Sequence, residues 1–111
     1  MADRKAEIVV FVTTSSEEEA ARIGRVLVES GLAACANVLP RVRSIFSWEG
    51  KVSEEQESLM VLKTQADLFE DLAATVKKLH SYSVPEIIAV PITRGSADYL
   101  AWIRSVTRKQ E

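Results

Sequence analysis

The chain is poor in the residues that usually announce a function: one cysteine, one histidine, four glycines and three prolines in 111 residues. A lone cysteine closes no intrachain bridge, so the fold stands without disulfides, which fits a reducing cytosol. Gly24, Gly31, Gly50 and Gly95 are isolated, so neither a dinucleotide fingerprint nor a phosphate-cradling loop can be built. Fourteen Lys and Arg against sixteen Asp and Glu leave a net charge of −2, too slight an excess for a nucleic-acid footprint or a basic membrane patch. The longest apolar run, residues 8–12, is strand-sized and far short of a membrane span. Residues 1–7 lack the apolar core of a signal peptide. No Ser-His-Asp order, paired catalytic carboxylates or cofactor motif is evident. The expectation is a non-enzymatic, cytoplasmic protein with no nucleic acid or membrane as partner.

What is present is an ordinary globular composition, 47% apolar and 27% charged. A chain of this length reads as one domain and removes roughly 65% of its unfolded surface from water, enough to hold a core unaided. Residues 8–12 are apolar at both parities, a strand covered on both faces. Ser15 and Ser16, each with a glutamate three residues on, open a helix that runs to about Ser30 and stops at Gly31. Residues 32–48 read as a long strand interrupted at Pro40. A turn at 49–51 returns a strand over 52–63. Thr64 then caps a helix over 65–79, residues 86–92 form a fourth strand, and Gly95-Ser96 opens a short last helix. Strand-helix-strand, strand-helix-strand, helix is the order of an α+β, ferredoxin-like split βαβ sandwich. Its antiparallel sheet has the order 4-1-3-2, here with a long strand 2–3 hairpin and an extra C-terminal helix. The prolines agree, because Pro40, Pro85 and Pro91 fall in the two strands expected at the edges.

Two features do not suit a solitary copy. Both helices cover one sheet face, yet either parity of strands one and four leaves apolar side chains on the other. The 32–48 strand would also reach roughly 55 Å if extended, against about 22 Å for the second helix, so its hairpin projects with Phe46 and Trp48 uncovered. An obligate homo-oligomer removes both problems. A C-terminal helix that folds back and does all the covering is the competing explanation.

Side chains with chemistry are few. His80, ending the second helix, suits the helix dipole and is the first candidate metal ligand. Cys35 reads as a small buried hydrophobe, and a Cys35–His80 hydrolase has no orienting group to support it. Lys63 and Glu57 end and begin one strand, and the Glu54-Glu55-Gln56-Glu57 cluster reads as a solvated flank with weak hard-cation binding as a lesser option.

The stretches Gly31-Leu32-Ala33-Ala34-Cys35-Ala36-Asn37, Ser44-Ile45-Phe46-Ser47-Trp48-Glu49-Gly50-Lys51, Leu62-Lys63-Thr64, His80-Ser81-Tyr82-Ser83-Val84-Pro85-Glu86-Ile87-Ile88 and Tyr99-Leu100-Ala101-Trp102-Ile103 resemble the CutA family of divalent-cation-tolerance proteins. The resemblance covers about residues 8–106 and implies a single CutA-like domain over 1–111. It also implies a homotrimer similar to PII signalling proteins, clefts between subunits and a link to tolerance of copper and other divalent cations. By position it marks Cys35, Trp48, Lys63, Tyr82 and Glu86 as cleft or ligand-binding residues, and His80 beside them as the metal candidate. No cofactor is required; Cu(II) or another divalent cation is the one weakly bound candidate. The alternative is a PII-like regulatory trimer that binds an anionic metabolite through Lys63 and signals to an unknown protein partner. Where the family usually has His-Pro-Tyr this chain has His80-Ser81-Tyr82, which implies a looser loop. Where some members place a cysteine and a further histidine it has Val12 and Leu79.

Overall fold

The computed structural model describes residues 6–108. Their order is β1 (Glu7–Thr14), α1 (Glu17–Glu29), β2 (Cys35–Trp48), β3 (Lys51–Gln65), a 3-10 turn (Ala66–Leu68), α2 (Phe69–Leu79), β4 (Ile87–Pro91) and α3 (Ala97–Val106). The strands form one antiparallel sheet in the order β2-β3-β1-β4, the ferredoxin-like arrangement with a helix added at the end. Pro40 and Pro91 do fall in the edge strands, where a missing N–H costs no ladder bond; Pro85, expected within β4, lies before it.

Local hydrogen bonding sets the boundaries. Ser16 Oγ accepts the Glu19 N–H at 3.1 Å, and three glutamates in the first turn of α1 meet the positive end of its dipole. The helix stops at Gly31, whose φ is 75°, and the N–H groups of Leu32 and Ala33 both return to the Leu27 carbonyl. Those bonds hold residues 32–34 in a turn, so β2 begins at Cys35 rather than Leu32. The expected cap of α2, Thr64, is otherwise engaged: it is buried on the helix side of β3 and donates to the Leu32 carbonyl at 2.6 Å. The chain therefore enters α2 through the 3-10 turn, and the helix proper starts at Phe69 instead of Gln65.

The core lies between the sheet and the first two helices. Val10, Val12, Met60 and Leu62 pack there against Ile23, Leu27, Leu72 and Val76, all fully buried. Helix α1 lies close on the sheet at Gly24, where a Cβ would sit 3.0 Å from that of Ala36 and 3.5 Å from Met60 Cε. Gly24→Val should wedge the helix outward and cost about 1–3 kcal/mol, measured by urea unfolding.

The opposite face carries Val9, Phe11, Val61, Leu39, Ile88 and Val90 by register. Helix α3 covers one end of it: Ile103 is fully buried, Arg104 pairs with Glu7, and Gln65 Nε2 donates to Thr107 Oγ1 at 2.6 Å. Leu39, Ile88 and Val90 stay 44%, 54% and 45% exposed. The last helix shares the covering without completing it.

The projecting hairpin is present. β3 pairs with β1 only from Ser58 onward, so residues 51–57 and 42–48 continue as a two-stranded ribbon. The molecule is accordingly 44 Å long against 28 and 23 Å across. Glu49 and Gly50 turn the tip with φ of 50° and 79°, the doubly left-handed geometry that suits a twisted two-residue hairpin. Between the Leu39–Leu59 and Val42–Glu57 pairs, β2 gains one residue on β3, and Arg41 takes up the bulge with φ of 58°. Before the bulge the odd-numbered residues of β2 share a face with Leu59, Val61 and Lys63. After it the even-numbered ones do, which sets Phe46 and Trp48 on the face of Glu55 and Glu57.

Candidate functional site

Beyond the end of β1, the ribbon and residues 82–86 enclose a cleft of about 930 Å³. Phe46 and Trp48 come from β2, Glu55 and Glu57 from β3, and Tyr82 and Glu86 from the segment leading into β4; among the described residues no Lys, Arg or His lines it. The Tyr82 hydroxyl donates to Glu57 Oε2 at 2.7 Å, and its ring lies 4.8 Å from that of His80. Burial, the bond to Glu57 and the charges of Glu57, Glu19 and Glu55 push the phenol up, so it remains a proton donor at neutral pH. Burial and the charge of Glu57 raise the Glu86 carboxyl. An acid raised in this way is held ionised at a cost, so Glu86→Gln should raise the melting temperature at neutral pH, read by calorimetry.

The His80 side chain is fully buried, with both ring nitrogens engaged inside the chain. The Tyr82 amide can only donate, so Nδ1 accepts from it at 3.0 Å and Nε2 carries the proton to the Thr13 carbonyl at 2.7 Å. A metal at His80 would displace one of these bonds.

The loop is not loosened at Ser81. Its N–H donates to Glu19 Oε2 at 2.7 Å and its hydroxyl to Oε1 at 3.1 Å, while Ser15 gives Oε1 a backbone and a hydroxyl bond at 3.0 and 2.9 Å. Burial alone would raise the Glu19 carboxyl. The bonds from Ser81 and Ser15 outweigh it and hold the group at about 2.

The residues marked from sequence divide into two groups. Trp48, Tyr82 and Glu86 meet in the cleft. Cys35 and Lys63 pair with each other six residues further along β3, about 20 Å from Glu57. There the Lys63 ammonium bonds to Asn37, and Cys35 Sγ lies 3.9 Å from the Tyr99 hydroxyl. Cys35 and His80 are not brought together. Among the described residues no three His, Cys, Asp or Glu side chains converge to enclose a metal ion. Sequence reasoning passed over Glu57 as a solvated flank and Glu19 as a capping residue. Alternation in 42–48 and 51–57 carried a signal for Glu57, since one turn sets both stretches in register. Nothing in the spacing pointed from Glu19 to Ser81.

Comparison with known proteins places this arrangement. The family model described as "CutA1 divalent ion tolerance protein" matches residues 8–106. The chain is 48% identical over 101 residues to the "Divalent-cation tolerance protein CutA" of Thermus thermophilus, covering 91% of this chain and 98% of that one. The solved structure of the Thermus protein superposes with a TM-score of 0.90 over 92% of this chain and 99% of that chain. The "Protein CutA, chloroplastic" of Arabidopsis thaliana is 44% identical over 91% of this chain, which spans 56% of the plant protein's length. The structure titled "Periplasmic divalent cation tolerance protein CutA" from Archaeoglobus fulgidus gives a TM-score of 0.88 at 41% identity, over 90% of this chain and 97% of that one. Those names cover two compartments outside the cytosol; in this chain, no helix among the described residues is long and apolar enough to cross a membrane. With the same fold and nearly half its residues shared across its length, the chain belongs to the CutA1 divalent ion tolerance family.

Proposed function

We propose that the chain acts in divalent-cation tolerance as a non-enzymatic homo-oligomer, a homotrimer, that takes divalent cations weakly in the cleft beside Tyr82. The observation that carries this reading is the cleft lining: three carboxylates, Glu55, Glu57 and Glu86, with no cationic side chain from the described residues. Family membership supplies the direction, since its relatives are named for tolerance of divalent cations. The apolar far face supports an assembly of copies, and the single cysteine suits the cytoplasm.

The donors offered are oxygens, because His80 spends both nitrogens inside the fold. An oxygen set with few converging ligands gives low affinity and little selectivity beyond the general order in which Cu(II) binds most tightly. Calorimetric titration should therefore show weak binding of several divalent ions, Cu(II) foremost, that falls when Glu57→Gln and Glu86→Gln are combined. Equal heats in the two proteins would dismiss the cleft. The anionic-metabolite reading rests on Lys63, which does not line the cleft and already bonds to Asn37. Thermal stabilisation by anions and not by cations, lost in Lys63→Ala, would establish it instead.

A further inference from the structure

Glu19 is 6% exposed and carries a full charge into the protein, an expensive choice for a helix that does not need it. The N-terminus of α1 is already capped by Ser16, whose hydroxyl takes the Glu19 N–H. In a reciprocal capping box the Glu19 carboxylate would return to the Ser16 N–H. It goes to Ser15 and, across 62 residues, to both the N–H and the hydroxyl of Ser81. Tyr82 is the next residue, and its hydroxyl is the one that reaches Glu57 in the cleft.

We infer that Glu19 is a positioning residue for the cleft, seating Ser81 so that the Tyr82 hydroxyl meets Glu57 and fixes the orientation of that carboxylate. The inference rests on the reading of the cleft as a cation site. Three elements share the task. Glu19 on α1 holds the Ser81 N–H, His80 at the end of α2 holds the Tyr82 N–H while anchored on the Thr13 carbonyl of β1, and Glu57 on β3 receives the phenol. Two consecutive amides and two hydroxyls thus tie the loop to the scaffold, and the four bonds that Glu19 accepts all come from Ser15 and Ser81. A carboxylate oriented by a neighbour binds a cation better than one free to turn, and removing such an outer partner typically lowers metal affinity about tenfold or more.

The test uses Cu(II) as probe, with every variant held at a temperature where circular dichroism shows it folded. Glu19→Gln keeps the shape and removes the charge; Ser81→Pro removes the N–H and the hydroxyl while leaving Glu19 and Ser15 in place; Ser81→Ala removes the hydroxyl alone. Affinity should fall about tenfold in the first two and about twofold in the third. The loss from Glu19→Gln should disappear in a Tyr82→Phe background, because the coupling runs through that hydroxyl. A residue with a merely structural role would lower the melting temperature and leave this coupling at zero. Unchanged Cu(II) affinity in Glu19→Gln, or an undiminished loss in the Tyr82→Phe background, overturns the inference. Wild-type protein that binds no Cu(II) defeats the cation reading alone. The positioning is then decided by the carbon chemical shift of the Glu57 carboxyl and hydrogen exchange at the Tyr82 amide, and neither changing in Glu19→Gln overturns it.

Discussion

Light scattering at micromolar concentration should report the mass of three chains for the wild type, and of one chain for the double variant Ile88→Glu, Val90→Glu. Both side chains sit on β4 at about half exposure and share the far face with Val9 and Phe11 across the β1–β4 ladder. Completing the burial of such side chains is worth roughly 1 kcal/mol each, and a face of six gives several kcal/mol per copy. Two carboxylates reverse the sign, because each would have to leave water with no counter-charge to meet it. The fold itself should survive. Ile87 and Ala89, which alternate with the substituted residues, keep the helix-side face of an edge strand intact. Far-ultraviolet circular dichroism of the variant should therefore match the wild type. A wild-type sample that already scatters as one chain would refute the assembly.

Acid should cost the protein about 3 kcal/mol through Glu19 alone. The carboxyl titrates at about 2 in the folded chain against 4.5 ordinarily. Its stabilisation is complete above pH 4.5 and is lost as the pH falls through 4.5 toward 2, where both states become protonated. Glu86, raised by burial and by Glu57, acts in the opposite direction and partly offsets the loss. In Glu19→Gln the acid limb should flatten and stability near pH 7 should drop by a similar amount, both read from urea unfolding across pH. A limb of unchanged steepness in the variant would show that the Ser15 and Ser81 bonds contribute nothing net.

Much of the fold was legible because it is written in periodic signals. Alternation, caps and edge prolines specified four strands, their order and a hairpin longer than the domain needs. The errors fall where a side chain had two uses. Thr64 looked like a helix cap, but its place on the buried face of β3 sends its hydroxyl to the nearest open carbonyl, that of Leu32. Residues 32–34 looked extended because no apolar period continued through them, while the amides of Leu32 and Ala33 close on Leu27 and only that of Ala34 reaches β3, at the Lys63 carbonyl. Of the candidate residues marked by resemblance, Trp48, Tyr82 and Glu86 line one cleft, whereas Cys35 and Lys63 stand at the other end of β3 within the chain. Glu57 and Glu19 were hidden for one reason. Each meets a partner, 25 and 62 residues away, through one or two polar contacts that leave no pattern in composition or spacing.

The one-residue bulge at Arg41 decides which side chains of the ribbon the cleft presents. Deleting Arg41 would remove the extra residue and keep Val42 opposite Glu57, whereas pairing β2 straight through with every residue kept would leave Cys35, Asn37 and Leu39 where they are and transpose everything beyond. Arg43 and Ile45 would turn toward Glu55 and Glu57, and Phe46 and Trp48 would turn away. An acidic, aromatic trough would become a self-neutralised one with no core residue altered. The irregularity on an exposed edge, and no residue of the core, thus decides which side of the ribbon is turned to the acids.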